Sequence, residues 1–333
     1  RLNGQPVRVC SGRGRTERSA QPARGRRLLQ DLDGLPRGDR ERLVVGQCGP
    51  LLAADLDAAG GQPGDVGDHD PLGADELALV REAAQFPRVV EAAAKAGGGA
   101  LFVSGIDPGW GNDILPILVS GLAGTIDQIR CQEIFDYTTY EQPDSVRYLI
   151  GMGQPMDYEP PMVAPTVPTM VWGGQIRLIA RALGVELDEI RETLLRRPLE
   201  ETVSTEHMGE FAVGTQGALR FEVQGIVGGE PLIVIEHVTR IHPSCARDWP
   251  LPPDGGDGAH KVIVEGRPRI EINVEATDEG GNRAAGGNAT AVGRLVNAIP
   301  WLRQAEPGLY DALDVPLTPG VGKLGARNSE VIT

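Results

Sequence analysis

The strongest constraint on the fold is a change in composition at Phe86. Residues 1–85 contain no Phe, Trp, Tyr, Ile, Met or Lys, whereas arginine recurs throughout them. Protein cores are built mainly from large aliphatic and aromatic side chains, and strands favour β-branched and aromatic residues. We therefore expect an ordinary folded core only from Phe86 onward.

The overall composition narrows the function classes. With 333 residues, 41% of them hydrophobic, the chain is long enough for two domains, and its net charge of -14 disfavours a polyanion-binding surface over most of the molecule. The longest apolar runs, such as residues 114–119, are too short to cross a bilayer. The four cysteines are scattered without a Cys-x-x-Cys pair. These features predict a cytoplasmic protein with small-molecule partners, no membrane segment and no metal.

The chain after Phe86 begins with an α/β pattern. A predicted helix over residues 89–96 ends at three glycines and leads into an apolar strand over residues 100–106. The loop "SGIDPGWGND" follows, and residues 113–122 are predicted to form a helix with a wide apolar face.

Alternating polarity then predicts a large sheet. Two further helices are expected over residues 175–183 and 188–196, the second because its acidic start and arginine-rich end suit the helix dipole. Asn288 is the expected N-cap of a last helix that ends at Pro300. The predicted strands, which together favour a mostly antiparallel sheet, cover residues 125–135, 218–227, 231–241, 261–264 and 269–276.

Three long segments carry a family resemblance: "GGGALFVSGIDPGWGNDILPILVSGL", "RCQEIFDYTTYEQPDSVRYLIGMGQP" and "GGNATAVGRLVNAIPWLRQAEPGLYDALDVPL". Through them, residues of about 86–324 resemble the dihydrodipicolinate-reductase-like dehydrogenases, the group with 2,4-diaminopentanoate dehydrogenase and the native amine dehydrogenases. The resemblance implies hydride transfer between NAD or NADP and the C=N or C–N carbon of an imine or amine. It also implies a homodimer formed through the substrate domain.

The fold implied by this resemblance is α/β, with an N-terminal Rossmann domain followed by an α+β substrate domain that carries a large, mostly antiparallel sheet. The chain is accordingly expected to have five parts. Residues 1–85 are an aberrant, disordered remnant of the dinucleotide-binding domain, and residues 86–110 are the last Rossmann helix and strand with a hinge. The substrate and dimerisation domain (111–287), a helix that returns to the Rossmann domain (288–324) and a tail (325–333) follow.

Candidate cofactor contacts follow the strand over residues 100–106, where open α/β sheets bind their ligands. The alternative for Asp107 and Pro108 is ordinary turn chemistry, and for Asn288 it is helix capping alone. The residues that the resemblance places beside the nicotinamide are Ser104, Gly105, Asp107, Pro108, Asn288 and Thr290.

Candidate catalytic residues are Glu133, Tyr137 and His207, because an amine nitrogen needs an anionic partner and the hydride step needs an accompanying proton transfer. His237 and His242 are expected on opposite faces of a strand, so they cannot chelate together. The candidate substrate contacts are Asn112, Asp136, Tyr140 and Trp172. Helix capping is the alternative for Asn112. Packing is the alternative for Tyr137, Tyr140 and Trp172, and it is the favoured one for Tyr140.

The expected dinucleotide fingerprint is missing. No Gly-x-Gly-x-x-Gly segment follows a strand and opens a helix in this sequence. The bias of residues 1–85 towards Arg, Gly, Ala, Pro and Asp is typical of a GC-rich gene translated out of frame. Shifted by one base, the codons of residues 67–70 can encode Val-Thr-Thr-Ile. We therefore hypothesise that residues 1–85 are a frame-shifted translation of part of the Rossmann domain.

Two other functions remain open at this point. The chain could be a non-catalytic dimerising or ligand-binding module, because the cofactor motif is missing. Alternatively, residues 1–42, with eleven Arg against five Asp and Glu, could form a basic arm that binds nucleic acid. The arm has no aromatic residue to stack on bases, which makes nucleic acid a poor partner.

The frame-shift hypothesis predicts impaired cofactor binding. We expect quenching of NADPH fluorescence to be weak or absent for this chain and full for a frame-corrected chain. Sequencing the coding DNA across codons 1–90 checks the cause directly. An uninterrupted reading frame, or NADPH binding by this chain at micromolar concentration, would contradict the hypothesis.

Overall fold

The computed structural model describes residues 43–47, 87–140, 142–253 and 256–324. The predicted frame-shifted segment, apart from one short strand, and the tail at 325–333 lie outside the described residues. Contacts divide the chain into two compact units, one with residues up to Val103 and from Arg294 onward, the other with Ser104–Gly293.

The helices and strands in chain order are β1 (Leu43–Gln47), α1 (residues 87–97), β2 (Ala100–Ser104), α2 (Ile114–Ser120), β3 (Thr125–Asp136), α3 (Val167–Leu183), β4 (Glu189–Pro198), β5 (Val203–Thr205), β6 (Gly209–Phe211), β7 (Gln216–Val227), β8 (Glu230–Arg240), β9 (Gly258–Arg267), β10 (Ile270–Val274), α4 (Arg283–Leu302) and β11 (Gly308–Tyr310). Helix α4 contributes its first half to the second unit and its second half to the first.

The first unit contains a three-stranded sheet of order β1-β2-β11, in which β2 and β11 are parallel. Phe102 of β2 is fully buried and packs with Leu295 and Leu302 of α4. The predicted helix and strand on either side of the glycine turn are confirmed, with the strand ending at Ser104.

The second unit is organised around a six-stranded sheet of order β10-β9-β3-β8-β7-β4. Strands β3 and β8 are parallel, and every other neighbouring pair is antiparallel. The prediction of a large, mostly antiparallel sheet is confirmed.

Helix α3 covers one face of this sheet through a row of buried apolar residues. Ile176 and Ile179 are fully buried in the main core, together with Phe221 and Val223 of β7. The helix lies close to the sheet at Gly225, where an added Cβ would be 2.7 Å from Cγ2 of Ile176. A glycine is needed there because a larger residue would push the helix away from the strand.

The predicted helix over residues 188–196 is wrong, because this segment is strand β4. It pairs with β7 from Glu189 to Pro198. Charges that suit a helix dipole contribute only about 0.3–1 kcal/mol each, less than a long row of strand pairing with its side-chain contacts.

The predicted start of the last helix is also wrong. Helix α4 begins at Arg283, and Oδ1 of Asn282 accepts a hydrogen bond from the backbone N–H of Ala285. Asn282 therefore performs the capping role that the sequence assigned to Asn288. The helix continues past Pro300 to Leu302, and α3 begins at Val167, eight residues before its predicted start.

Among the described residues, no helix combines the length and the apolar character needed to cross a membrane.

The buried face of α3 gives a stability prediction. We expect Ile179→Ala to lower the free energy of unfolding by about 2–5 kcal/mol, because Ile179 is fully buried and its removal leaves a cavity. Met170→Ala on the same helix is the matched control, since Met170 is 42% exposed and should cost far less. Urea unfolding followed by circular dichroism measures both, and equal losses would contradict this packing.

Candidate active site

The loop after β2 folds back on itself and fixes Asp107. Gly109 has a φ of 153°, and a Cβ at this position would lie 2.2 Å from the carbonyl carbon of Gly105, so the turn requires glycine. Asn112 joins the two sides of the loop: its Oδ1 accepts from the N–H of Gly109 at 2.9 Å, and its Nδ2 donates to Oδ1 of Asp107 at 2.6 Å.

Strand register places three ionisable side chains beside one another. Glu133 of β3 is paired with His237 of β8 on one side and with His260 of β9 on the other. Residues paired across neighbouring strands project from the same face of a sheet. We call Asp107, Glu133, His237 and His260 the acid–histidine cluster.

Within the cluster, the contact between His237 and Asp107 is shorter than the contacts that Glu133 makes with the two histidines. Nε2 of His237 lies 3.0 Å from Oδ1 of Asp107, while its Nδ1 lies 3.8 Å from Oε1 of Glu133. Nε2 of His260 lies 3.3 Å from Oε2 of Glu133. Glu133 is therefore the carboxylate with the looser contacts.

Aromatic rings enclose the two histidines. Phe221 of β7 stacks on His237, with ring centroids 4.6 Å apart and planes 6° from parallel. Trp172 of α3 packs against the same imidazole and donates its Nε1–H to Oδ1 of Asp107. Trp110 packs against His260 and donates to Oγ1 of Thr290 at 2.8 Å.

Two tyrosines extend the cluster. Tyr137 is oriented to donate its hydroxyl to Oε1 of Glu133 at 3.5 Å, and its ring stacks on Tyr140 at 4.6 Å. Burial and then the charge of Glu133 raise the pKa of both phenols, that of Tyr137 well above its ordinary value. Both groups consequently stay protonated at neutral pH and can act as hydrogen-bond donors.

The charge state of His237 depends on its carboxylate neighbours. Burial lowers the pKa of this imidazole, but the charges of Asp107 and Glu133 and the hydrogen bond to Asp107 outweigh burial and raise the pKa above its ordinary value. The charged imidazolium is thus the favoured form.

The cluster is compact enough to surround a small cation. One oxygen of Asp107, one oxygen of Glu133 and one nitrogen of His237 all lie within 4.8 Å of one another. However, both ring nitrogens of His237 are directed at carboxylates, which suits a protonated imidazole that donates, whereas metal ligation requires a free nitrogen lone pair. The arrangement therefore fits an ammonium-type nitrogen better than a metal ion.

The structure brings several predicted site residues together in this cluster. Glu133, Tyr137, Tyr140, Asp107 and Trp172 are joined by the contacts above. Asn112 neither caps a helix nor stays free for a ligand, because both ends of its amide are used in the loop and Asp113 caps α2.

Other predicted residues lie elsewhere. Asp136 projects from the face of β3 opposite to Glu133. Its carboxylate accepts hydrogen bonds from the N–H and the hydroxyl of Thr138, and burial raises the pKa of Asp136. His207 is exposed in the turn between β5 and β6, away from the contacts of the cluster. Asn288 lies inside α4, where its side chain hydrogen-bonds Tyr140.

Sequence reasoning missed His237 and His260. One signal was present: in "LIVIEHVTRI" four consecutive apolar residues lead directly into Glu236 and His237, and buried polar groups of this kind need partners. His260 had no comparable signal, because its role depends on the pairing of β9 with β3.

Comparison with known proteins identifies the family. The 2,4-diaminopentanoate dehydrogenase C-terminal domain matches residues 112–327. An amine dehydrogenase from Streptomyces virginiae is 75% identical over 245 residues, which is 74% of this chain and 68% of that protein. The chain belongs to the 2,4-diaminopentanoate dehydrogenase family.

More distant relatives agree with this assignment. The 2,4-diaminopentanoate dehydrogenase of Acetoanaerobium sticklandii is 24% identical over 87% of this chain and 82% of that protein. The amine dehydrogenase structure from Mycobacterium smegmatis has a similar fold, with a TM-score of 0.55 and 16% identity over 71% of this chain and 64% of that one. The predicted family and the prediction of an oxidoreductase are confirmed.

Proposed function

We propose that this member of the 2,4-diaminopentanoate dehydrogenase family interconverts an amine and a carbonyl compound with NAD or NADP. The observation that carries the proposal is Glu133, a partly buried carboxylate placed among His237, His260 and the phenol of Tyr137. An amine that loses hydride from its carbon also loses a proton from its nitrogen. A carboxylate with protonatable neighbours is suited to accept that proton.

The overall reaction balances as amine, water and NAD(P)+ giving carbonyl compound, ammonia, NAD(P)H and one proton. Glu133 binds the substrate nitrogen as an ammonium ion and accepts a proton from it. Tyr137, kept protonated, donates a hydrogen bond to Glu133. His260 contacts the other oxygen of the same carboxylate and fixes its orientation. The rings of Trp172, Phe221 and Trp110 exclude water, which strengthens these charged interactions.

The nicotinamide cofactor, when bound, accepts or donates the hydride. Ser104 at the carboxyl end of β2 fits a cofactor contact, because its hydroxyl is buried and has no hydrogen-bond partner among the described residues. Gly105, Pro108 and Thr290 remain proposed cofactor contacts, whereas the side chain of Asp107 is directed into the acid–histidine cluster. The Rossmann form of the first unit, the domain boundaries and a cytoplasmic location belong to this proposal.

The two alternative functions are not favoured. Family membership supports an enzyme over a non-catalytic module, and the proposed nucleic-acid arm at residues 1–42 lies outside the described residues.

A second part of the proposal is a homodimer through the sheet face opposite α3. Arg130 and Arg220 bind the buried Glu236 there, at 2.5 and 2.7 Å, and Arg130 also binds Glu222 at 2.6 Å. Two cations and two anions leave this group neutral, which suits burial against a second copy. Leu195, 53% exposed and paired with Arg220, lies on the same face.

Glu133→Gln tests the proposed reaction. We expect kcat for amine oxidation to fall by about 10²–10⁴-fold, because the amide cannot accept the proton. NADPH formation at 340 nm measures it, in this chain and in a frame-corrected chain. Glu230→Gln at the exposed start of β8 is the control and should retain activity. Full activity of the Glu133 variant would contradict the assignment.

Leu195→Glu tests the dimer. We expect it to convert a dimer into a monomer, because a buried unpaired charge would oppose association. Leu194→Glu is the matched control: Leu194 is also exposed but pairs with Phe221 on the face covered by α3. Light scattering after size exclusion gives the molar mass, and a monomeric parent chain would rule out this interface.

A further inference from the structure

The two carboxylates beside His237 differ in how firmly they are held. Asp107 receives three contacts on one oxygen, from Asn112, Trp172 and His237, and its side chain is 3% exposed. The contacts of Glu133 are 3.3 Å or longer, and its side chain is 13% exposed. Asp107 is thus a fixed inner group, while Glu133 is the one that can adjust to a substrate.

His237 is unable to swing away from this position. Phe221 lies flat against its ring, and Trp172 packs at 60° with centroids 4.6 Å apart. Nε2 of His237 is within hydrogen-bond distance of Asp107, at 3.0 Å, and Nδ1 is within ion-pair distance of Glu133, at 3.8 Å. A ring placed between two carboxylates in this way is stabilised in its charged form.

We propose that His237 is a positioning residue, which Asp107 holds as an imidazolium and which orients Glu133 for the substrate nitrogen. This inference rests on the proposed function of Glu133. Asp107, His237 and Glu133 then carry a combined charge of minus one, which attracts an ammonium ion without leaving two carboxylates in direct repulsion.

The groups that face His237 come from several neighbouring elements. Asp107 approaches from the loop after β2 and Glu133 from β3, and both favour the charged ring. Glu236, next along β8 on the opposite sheet face, acts in the same direction, and the pKa of His237 is raised despite burial. The side chains of Trp172 of α3 and Phe221 of β7 are uncharged. Tyr137 and, from β9, His260 contact Glu133.

The protonation state can be measured without turnover. In the full chain labelled with ¹⁵N-histidine, the His237 signal is identified by its loss in His237→Gln. Two-bond ¹H–¹⁵N spectra followed against pH should show both ring nitrogens protonated to a higher pH than in an ordinary imidazole. Asp107→Asn should lower the His237 pKa by about one unit or more, because burial then meets less opposing charge.

Two further variants keep this measurement decisive. Glu133→Gln should also lower the His237 pKa, which provides a second test if Asp107→Asn fails to fold. His242→Gln, which removes a ring that is hydrogen-bonded to Ser244, should leave the His237 pKa unchanged. A His237 that titrates in the ordinary range and is unmoved by either carboxylate substitution overturns the proposal.

The kinetic consequence separates positioning from mere packing. In His237→Gln, the acid limb of the pH profile of kcat for amine oxidation should move to higher pH, because the site loses a cation that favours the charged form of its anionic groups. A packing role would lower kcat at all pH values with the limb unmoved, which contradicts the proposal.

The two levels of inference fail in different ways. A wild-type chain that turns over but has an unshifted His237 contradicts the positioning role and leaves the proposed function intact. A shifted His237 in a frame-corrected chain that oxidises no amine contradicts the proposed function, and with it this role, although the charge pairing remains.

Discussion

The compensation of the buried Asp107 carboxylate is the interaction on which the rest of the site depends. A carboxylate taken out of water is strongly destabilised unless donors replace its hydration. Here the donors come from three places, since Asn112 belongs to the same loop, Trp172 to α3 and His237 to β8. One oxygen atom therefore ties the loop after β2 to both the helix layer and the sheet of the second unit.

Strand register determines which side chains lie beside Glu133 in the acid–histidine cluster. Glu133 is placed between His237 and His260 because β3 pairs in parallel with β8 and antiparallel with β9. A slip of one residue in either pairing would send the partner side chain to the other face of the sheet. The apolar residues of β3 and β8 that are buried in the main core oppose such a slip, so core packing and site geometry are set by the same register.

Local patterns predicted the elements whose partners are near in sequence. The glycine turn before β2 and the alternation of β7, β8 and β9 were sufficient to place those strands. The charges of residues 188–196 were misleading, because pairing with β7 outweighs a small dipole effect. Asn288 was misread because several asparagines offer the same local capping chemistry, and Asn282 is the one at the start of α4.

The site was predictable in part for a similar reason. Glu133, Tyr137 and Trp172 were predicted as candidates from residue type and local position in the sequence. His237 became a cluster member only through contacts with residues 130 and 104 positions away, a separation that a single sequence does not reveal. His207 was a candidate because an imidazole can act as an acid or base, and the structure places it in an exposed turn.

Two adjacent residues of β8, Glu236 and His237, carry buried side chains of opposite charge on opposite faces of the sheet. Glu236 is an anion between the cations Arg130 and Arg220 on one face of the sheet. His237 is a cation between the anions Asp107 and Glu133 on the other. Each of the two side chains is buried and lies between two partners of opposite charge. Glu236 also helps to raise the pKa of His237. The ion pairs of Glu236 with Arg130 and Arg220, on the sheet face opposite α3, are therefore electrostatically coupled to the acid–histidine cluster through strand β8.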